Sequence, residues 1–285
     1  MSLRNKIHNL LAAIINGPKA KISVQVASVN YSGILKDRVI LVIGASRGIG
    51  FSIAQKLVEE GANVIISGRS KASLEEAVSE LGARATYVQY DNEDISNRLM
   101  FVKECYEKFE RVDDIIFNAG VSLHEGDFLN VEPLGFEMQM RINLESTYFL
   151  AQSFIKEFLK DSRCKHNILF VSSETAGKSN DLPYGLSKVA LTSMLGGFAR
   201  RLVNKGIRIN GIAPGVTVSS MTTDKKQLED YCYSSASGRY LLPEEVANVA
   251  VFLISDASSC INGECIYCDF GNHLKINGFD NNYAL

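Results

Sequence analysis

The chain has 285 residues, of which 46% are hydrophobic, so it is long enough to bury a large core. Its formal net charge of −2 leaves no surplus of basic surface, which argues against nucleic acid as a partner. No apolar run approaches the roughly 20 residues that a helix needs to span a bilayer, so we expect no transmembrane segment.

The N-terminal region is basic. Residues 1–36 contain no Asp or Glu but five Lys or Arg residues, and residues 10–15 form a short apolar stretch. We treat residues 1–32 as an extension that precedes the folded domain. It is either a plain extension that packs on the domain or on a neighbouring subunit, or a targeting or surface-adhering segment.

From residue 33 onward, short β-rich runs alternate with helical segments, which is the pattern of an α/β fold. We predict one Rossmann-type domain, residues 33–273, with a doubly wound parallel sheet of about seven strands and helices on both faces. A C-terminal tail, residues 274–285, follows it. The predicted strands are Val39–Ile43, Asn63–Ser67, Ala85–Gln89, Asp114–Phe117, Asn167–Val171, Arg208–Ile212 and Glu264–Cys268.

The first predicted strand runs directly into a glycine-rich turn and then into a predicted helix, Ile49–Glu60. Glycines let the backbone approach a pyrophosphate closely, and the helix N-terminus adds free N–H groups and a positive dipole end. This order of strand, turn and helix predicts a dinucleotide-binding turn that consists of Gly44, Ala45, Ser46, Arg47, Gly48, Ile49 and Gly50.

Polar residues and glycines also follow the later strands. Open parallel sheets bind ligands outside the carboxyl ends of their strands, so these residues should meet at one edge. A polar excursion, residues 219–241, comes after the sixth strand and is either a lid over this edge or a surface loop. The residues at the strand ends are Gly68, Arg69, Asp91, Asn92, Asn118, Ala119, Gly120, Ser172, Ser173, Pro214 and Gly215.

Tyr184 and Lys188 lie four residues apart in a predicted helix, so both side chains project from one face. An ammonium group beside a phenol favours the phenolate. We therefore expect Lys188 to lower the pKa of Tyr184 toward the range useful for proton transfer to a substrate oxygen.

The last predicted strand contains a C-x-x-C pattern, Cys265 and Cys268. Residues three apart in a strand point to opposite faces, so we predict neither a metal site nor a redox function for this pair. The six cysteines of the chain show no disulfide-framework spacing. Reduced thiols and a cytoplasmic location are therefore expected.

In order and approximate spacing, these motifs resemble the short-chain dehydrogenase/reductase family. The likeness spans residues 33 to about 271 and implies an oxidoreductase that transfers hydride between a nicotinamide cofactor and a carbonyl or alcohol. The motifs that carry it are the glycine turn at 44–50, Asn118-Ala119-Gly120, Asn143, Ser173, Tyr184 with Lys188, and residues 208–215.

The resemblance implies a catalytic role for four residues. Tyr184 would donate a proton to the carbonyl oxygen, and Lys188 would hold the nicotinamide ribose while lowering the tyrosine pKa. Ser173 would hydrogen-bond the substrate oxygen, with Ser172 as the alternative. Asn143 would fix a water molecule in a proton relay that reaches Lys188.

The resemblance also implies cofactor contacts along the whole sheet edge. Asn118, Ala119 and Gly120 would border the adenosine half of the cofactor, and Asp91 and Asn92 also belong to the cofactor set. Beyond the sixth strand, the nicotinamide would be flanked by Pro214, Gly215, Thr217 and Ser219.

The end of the second strand bears on the choice between NAD and NADP. An NAD enzyme usually places a carboxylate there, which binds the ribose 2′-hydroxyl and repels a 2′-phosphate. Gly68 occupies that position and Arg69 follows it. Together with Arg47 in the glycine turn, Arg69 provides two guanidinium groups for the phosphate, so we predict NADP(H).

Within the family, the layout is most similar to bacterial 3-oxoacyl-acyl-carrier-protein reductases, which dock an acidic carrier protein on surface arginines. Arg200 fits one docking position, but Phe149 stands at another. The alternatives are a reductase of a sugar, a steroid-like alcohol or another small ketone, and a non-catalytic NADP-binding regulator. The resemblance further implies a homotetramer or dimer that uses the helices near residues 133–159 and 184–204.

Overall fold

A computed structural model describes residues 29, 32–163, 165–218 and 235–274. Its strands form one parallel sheet in the order β3-β2-β1-β4-β5-β6-β7, which confirms the predicted fold class. The strands are β1 (Val39–Ile43), β2 (Asn63–Gly68), β3 (Ala85–Gln89), β4 (Asp114–Phe117), β5 (His166–Val171), β6 (Ile207–Pro214) and β7 (Cys265–Cys268).

Helices connect consecutive strands, and one connection contains an irregular turn. A π-helical turn, Arg141–Glu145, joins two of the helices and has the wider backbone that often marks functional sites. The helices are α1 (Gly48–Glu59), α2 (Lys71–Leu81), α3 (Arg98–Phe109), α4 (Pro133–Met140), α5 (Ser146–Phe158), α6 (Pro183–Leu202) and α7 (Pro243–Ile254).

The predicted strands are all present, with small differences at their ends. β6 continues two residues past the predicted Ile212, because its pairing with β7 extends to the partners Pro214 and Cys268. The first helix begins at Gly48 rather than Ile49. The extra length of β6 carries the chain further toward the edge where ligands are expected.

Helices cover both faces of the sheet, which explains why β1 is an unbroken apolar run. Leu41 packs into the core layer beneath α5 and α6, where Phe154 lies. The adjacent Val42 points to the other face, where it joins Leu57 and Val251 of α1 and α7. Because helices pack on both faces of the sheet, the carboxyl ends of its strands are held in place.

Several predicted features lie outside the described residues. They include most of the basic extension, residues 219–234 of the polar excursion, and the tail beyond residue 274. The two ends of the excursion do meet, because Thr217 pairs with Leu241 in a parallel bridge. Among the helices described, none is long and apolar enough to cross a membrane.

Candidate active site

The sheet changes direction at its centre. The chain moves outward from β1 through β2 to β3, and β4 then starts the other half on the opposite side of β1. In open parallel sheets, a crevice for ligands opens outside the carboxyl ends of the two strands that flank this switch point. The glycine turn after β1 and residues 118–120 after β4 both lie there.

The glycine turn is packed too tightly for side chains at two positions. A Cβ added to Gly44, which has a φ of +79°, would lie 2.7 Å from the Ala119 Cα, and one added to Gly50 would lie 2.2 Å from the Gly44 carbonyl oxygen. Asn118 Nδ2 donates a hydrogen bond of 2.6 Å to that same oxygen. These contacts hold the turn after β1 against the end of β4.

The glycine turn also contacts the end of β2. The backbone N–H groups of Gly44 and Ala45 donate to the Ser67 carbonyl oxygen at 2.9 and 3.0 Å. Arg47 in the turn and Arg69 after β2 are both exposed, and within the described part of the chain neither guanidinium has a hydrogen bond or ion pair. Two cations are thus available to an anionic ligand at this end of the crevice.

The residues that follow β3 differ in exposure. Asp91 is exposed, and its Oδ1 accepts a hydrogen bond from the Glu93 backbone N–H at 3.0 Å. Asn92 is buried, and its Oδ1 has no hydrogen-bond partner among the described residues. A buried acceptor without a partner is uncommon and fits a donor group on a bound ligand, such as the amino group of an adenine.

Ser172 and Ser173 follow β5, but their side chains have different partners. Ser172 Oγ lies 3.0 Å from Thr192 Oγ1 and 3.4 Å from the Lys188 carbonyl oxygen, so it packs against the middle of α6. Ser173 Oγ accepts a hydrogen bond from the Thr175 backbone N–H at 3.3 Å, and hydrogen bonding with the Ser173 side chain lowers the pKa of Tyr184 against the larger rise that burial causes. Ser173 is therefore the serine that the fold brings together with the tyrosine.

Tyr184 and Lys188 lie in the first turns of α6, and burial governs their ionisation. It raises the pKa of Tyr184; the hydrogen bond to Ser173 opposes this rise, and the negative charge of Glu174 adds to it. Burial lowers the pKa of Lys188 to about 8. The expected lowering of the Tyr184 pKa is therefore wrong for this structure, because desolvation dominates and the Lys188 ammonium donates to the Val171 carbonyl oxygen, at 3.0 Å.

Asn143 lies in the π-helical turn, fully enclosed by protein. Its Oδ1 accepts from the Val121 N–H at 2.8 Å, and its Nδ2 donates to the Val121 carbonyl oxygen and to Ser187 Oγ. A Cβ added to Gly120 would lie 3.4 Å from both Asn143 Oδ1 and Lys188 Nζ. Asn143 and Lys188 therefore meet at the glycine that follows β4.

The turn after β6 is tied to the end of β7. The Gly215 N–H donates to the Cys268 carbonyl oxygen at 2.9 Å, and the buried Thr217 Oγ1 donates to the Gly215 carbonyl oxygen at 2.9 Å. Pro214 ends β6 itself. Ser219, the remaining predicted cofactor contact, lies outside the described residues.

Glu174, which directly follows Ser173, is a site residue that the sequence motifs do not predict. It is 8% exposed, and its carboxylate contacts Lys178 and Asn272. The sequence gives little indication that Glu174 contacts Asn272, because the two residues are 98 positions apart. An acidic residue next to the candidate serine was the only hint.

The chain that forms this site is similar to known proteins. A family profile described as enoyl-(acyl carrier protein) reductase matches residues 44–273. The chain is 31% identical to a 3-oxoacyl-[acyl-carrier-protein] reductase of Aquifex aeolicus over 83% of this chain and 98% of that relative. It is also 31% identical to the L-rhamnose 1-dehydrogenase (NADP(+)) of Thermoplasma acidophilum, over 85% and 98% respectively.

A solved structure shows the same arrangement of elements. The crystal structure of a 3-ketoacyl-(acyl-carrier-protein) reductase from Brucella melitensis, complexed with NADH, matches with a TM-score of 0.77 and 28% identity. The match covers 84% of this chain and 100% of that one. The chain belongs to the short-chain dehydrogenase/reductase family, whose members typically use a nicotinamide cofactor, and is an oxidoreductase that acts on a carbonyl or alcohol group.

Proposed function

We propose that this protein is an NADPH-dependent reductase that converts a ketone to a secondary alcohol. The observation that carries the proposal is the cluster of Ser173, Tyr184 and Lys188 at the carboxyl edge of the sheet, with Asn143 packed behind it. A nicotinamide cofactor, when bound, supplies the hydride that adds to the carbonyl carbon. The protein's own residues must then supply the proton and orient the substrate.

The raised pKa of Tyr184 keeps its phenol protonated near neutral pH, so it is an acid that can donate a proton to the carbonyl oxygen. Ser173 interacts with that phenol and would hydrogen-bond the same substrate oxygen. Lys188, whose pKa is about 8, can exchange protons near neutral pH and so return one to Tyr184. Asn143, which meets Lys188 at Gly120, would fix the water molecule that continues this relay.

The cofactor would lie along the carboxyl edge with its phosphates on the glycine turn. Arg47 and Arg69 would pair with a 2′-phosphate, and no carboxylate stands at Gly68 to repel it. This arrangement supports NADP(H) over NAD(H). The other residues that would hold the cofactor are Gly44, Ser46, Gly48, Ile49, Gly50, Asp91, Asn92, Asn118, Ala119, Gly120, Pro214, Gly215, Thr217 and Ser219.

A 3-oxoacyl group bound to an acidic carrier protein is the substrate class that we place first. Arg200 is exposed on α6, as docking requires. Phe149, at the other docking position, is not basic, so this substrate class is supported at one of the two positions. A sugar or steroid-like alcohol is the alternative substrate class, and a non-catalytic NADP-binding regulator is a more distant alternative.

We also propose that the protein forms a homodimer or homotetramer through α5 and α6. A groove of about 510 Å³ runs between these helices. Apolar side chains there remain partly exposed, as a helical interface requires. Light scattering would test this assembly, and a monomeric mass would contradict it. The residues that line the groove include Leu144, Tyr148, Phe149, Met194 and Phe198.

Oxidation of NADPH, followed by absorbance, tests the proposed activity with acetoacetyl-CoA and a panel of small ketones, sugars and steroids. We expect the Tyr184→Phe variant to lose about 100-fold or more in kcat/KM, because a positioned general acid contributes 10²–10⁴-fold. Its Kd for NADPH should stay near the wild-type value. Turnover that survives the substitution would contradict the role of Tyr184, and NADPH binding without turnover of any carbonyl would favour the regulator.

A further inference from the structure

The residues that follow β7 fold back onto the turn that carries Ser173. We call residues 269–274 the C-terminal turn and residues 173–178 the serine turn. The two are in close contact, because a Cβ added to Gly177 would lie 3.0 Å from Tyr267 Cε1 and 3.1 Å from the His273 Cβ. Glycine at 177 thus lets the chain segments approach beside the candidate active site.

Polar contacts between Asn272 and Glu174 join the two turns directly. Asn272 Nδ2 lies 2.9 and 2.8 Å from the two carboxylate oxygens of Glu174, and Lys178 Nζ donates to one of them at 3.0 Å. Glu174 is 8% exposed, so few water molecules can solvate its charge. A buried carboxylate needs such donors, and the distant Asn272 supplies two of the contacts.

The C-terminal turn is braced from within. Asp269 is buried, and its Oδ2 lies 2.7 Å from both the backbone nitrogen and the Nδ1 of His273. The His273 ring stacks on Tyr267 with the ring centroids 3.9 Å apart. These contacts hold the backbone segment that carries Asn272 in place.

The same turn touches the segment after β6. A Cβ added to Gly215 would lie 3.0 Å from the Asp269 Cβ and 3.2 Å from Glu174 Oε2. The serine turn, the Gly215 turn and the C-terminal turn therefore pack at one point. A shift in the C-terminal turn would be transmitted to the backbone that carries Ser173.

We propose that Asn272, through Glu174, is a positioning residue that holds Ser173 against Tyr184. This inference rests on the proposed reductase function and adds to it a link between the C-terminus and the reaction site. Neither residue is required to touch the substrate. Their effect should therefore fall mainly on kcat, because a small displacement of a reacting group costs rate more than it costs binding.

Adding a like charge to the contact gives a sharp test. In Asn272→Asp, a second carboxylate faces Glu174, so we expect kcat to fall about tenfold while the Kd for NADPH changes less than about twofold. In the double variant with Glu174→Gln and Asn272→Asp, a glutamine amide can donate to the new carboxylate, and most of the lost kcat should return. The control is Asn262→Ala, which removes two hydrogen bonds near the amino end of β6 and should leave kcat unchanged.

Hydrogen–deuterium exchange at the amides of residues 174–178 gives a readout that does not depend on turnover. These amides should exchange faster in Asn272→Asp, return toward wild type in the double variant, and stay unchanged in Asn262→Ala. If Asn272→Asp does not fold, Asn272→Ala is measured in the same way. A wild-type protein that reduces no ketone would refute the proposed function alone, whereas unchanged exchange in the Asn272 variant, or no recovery in the double variant, would overturn the positioning link.

Discussion

Two buried charges at opposite edges of the sheet, Asp114 and Lys188, have different surroundings. At the amino edge, the fully buried Asp114 accepts hydrogen bonds of 2.6 and 2.7 Å from Arg38 and of 2.7 Å from Asn167 Nδ2. At the carboxyl edge, Lys188 is 3% exposed, yet its ammonium has a backbone carbonyl as its partner and no carboxylate within the described residues.

This difference separates a buried charge that has a counter-charge in the fold from one that has none among the described residues. Burial raises the pKa of Asp114, and the charge of Arg38 and the hydrogen bonds from Arg38 and Asn167 oppose that rise. Removing the Asp114 carboxylate would leave these partners unpaired, so its substitution should cost stability. Desolvation at Lys188 is poorly offset, and burial lowers its pKa to about 8. Buried groups with strongly shifted pKa values concentrate at functional sites, so substitution at this edge should cost activity instead.

The largest expected effect lies at the amino edge. Asp114→Ala leaves Arg38 partly buried without its carboxylate, and we expect a loss of about 3–5 kcal/mol in the free energy of unfolding, measured in urea. Asp256→Ala is the matched control, because it breaks an exposed ion pair with Lys165 and should cost less than about 1 kcal/mol. Equal losses of unfolding free energy in the two variants would contradict the expected difference between a buried and an exposed ion pair.

At the carboxyl edge, Lys188→Met should lower activity without lowering stability. We expect kcat/KM for ketone reduction to fall about 100-fold, because the variant lacks the group that we propose returns a proton to Tyr184. The free energy of unfolding at pH 7 should stay the same or rise, because the substitution removes a poorly compensated buried charge. Lys103→Met, at an exposed lysine, should change neither quantity.

The pH dependence of stability tests the same lysine without any substrate. Its pKa is lowered from 10.5 to about 8 in the folded protein, so between these values the unfolded chain binds a proton that the folded chain does not. The contribution of Lys188 therefore makes the free energy of unfolding rise with pH, by at most about 1.4 kcal/mol per pH unit. Any stability advantage of Lys188→Met over wild type should shrink between pH 8 and 10, and a constant difference would contradict the lowered pKa.

The smallest effect should come from the exposed cations at the carboxyl edge. Arg69→Asp removes a partner for a 2′-phosphate and adds a repulsive charge, so we expect the ratio of kcat/KM for NADPH to that for NADH to fall about tenfold or more. Lys103→Asp makes the same change of charge at an exposed lysine of α3 and serves as the control. If Arg69→Asp leaves the ratio of kcat/KM for NADPH to that for NADH unchanged, Arg69 does not bind the 2′-phosphate.

Much of this architecture could be predicted because it depends on local patterns. The apolar run of β1 requires burial on both faces, and the glycines that follow it require a close backbone turn. The positions of Tyr184 and Lys188 on one face follow from helical spacing alone. The carboxyl ends of parallel strands must share an edge, so even residues far apart in sequence could be assigned to one site.

The sequence by itself thus determined the parallel α/β fold, the glycine turn and the edge of the sheet at which Tyr184 and Lys188 meet. Only the tertiary structure decided that Ser173 rather than Ser172 contacts the tyrosine, because that depends on which side chain the packing of α6 against β5 engages. It also reversed the expected shift of the Tyr184 pKa. The desolvation of a group depends on every segment that packs around it, including segments distant in the sequence. The spacing of two residues along a helix therefore cannot predict the direction of the pKa shift.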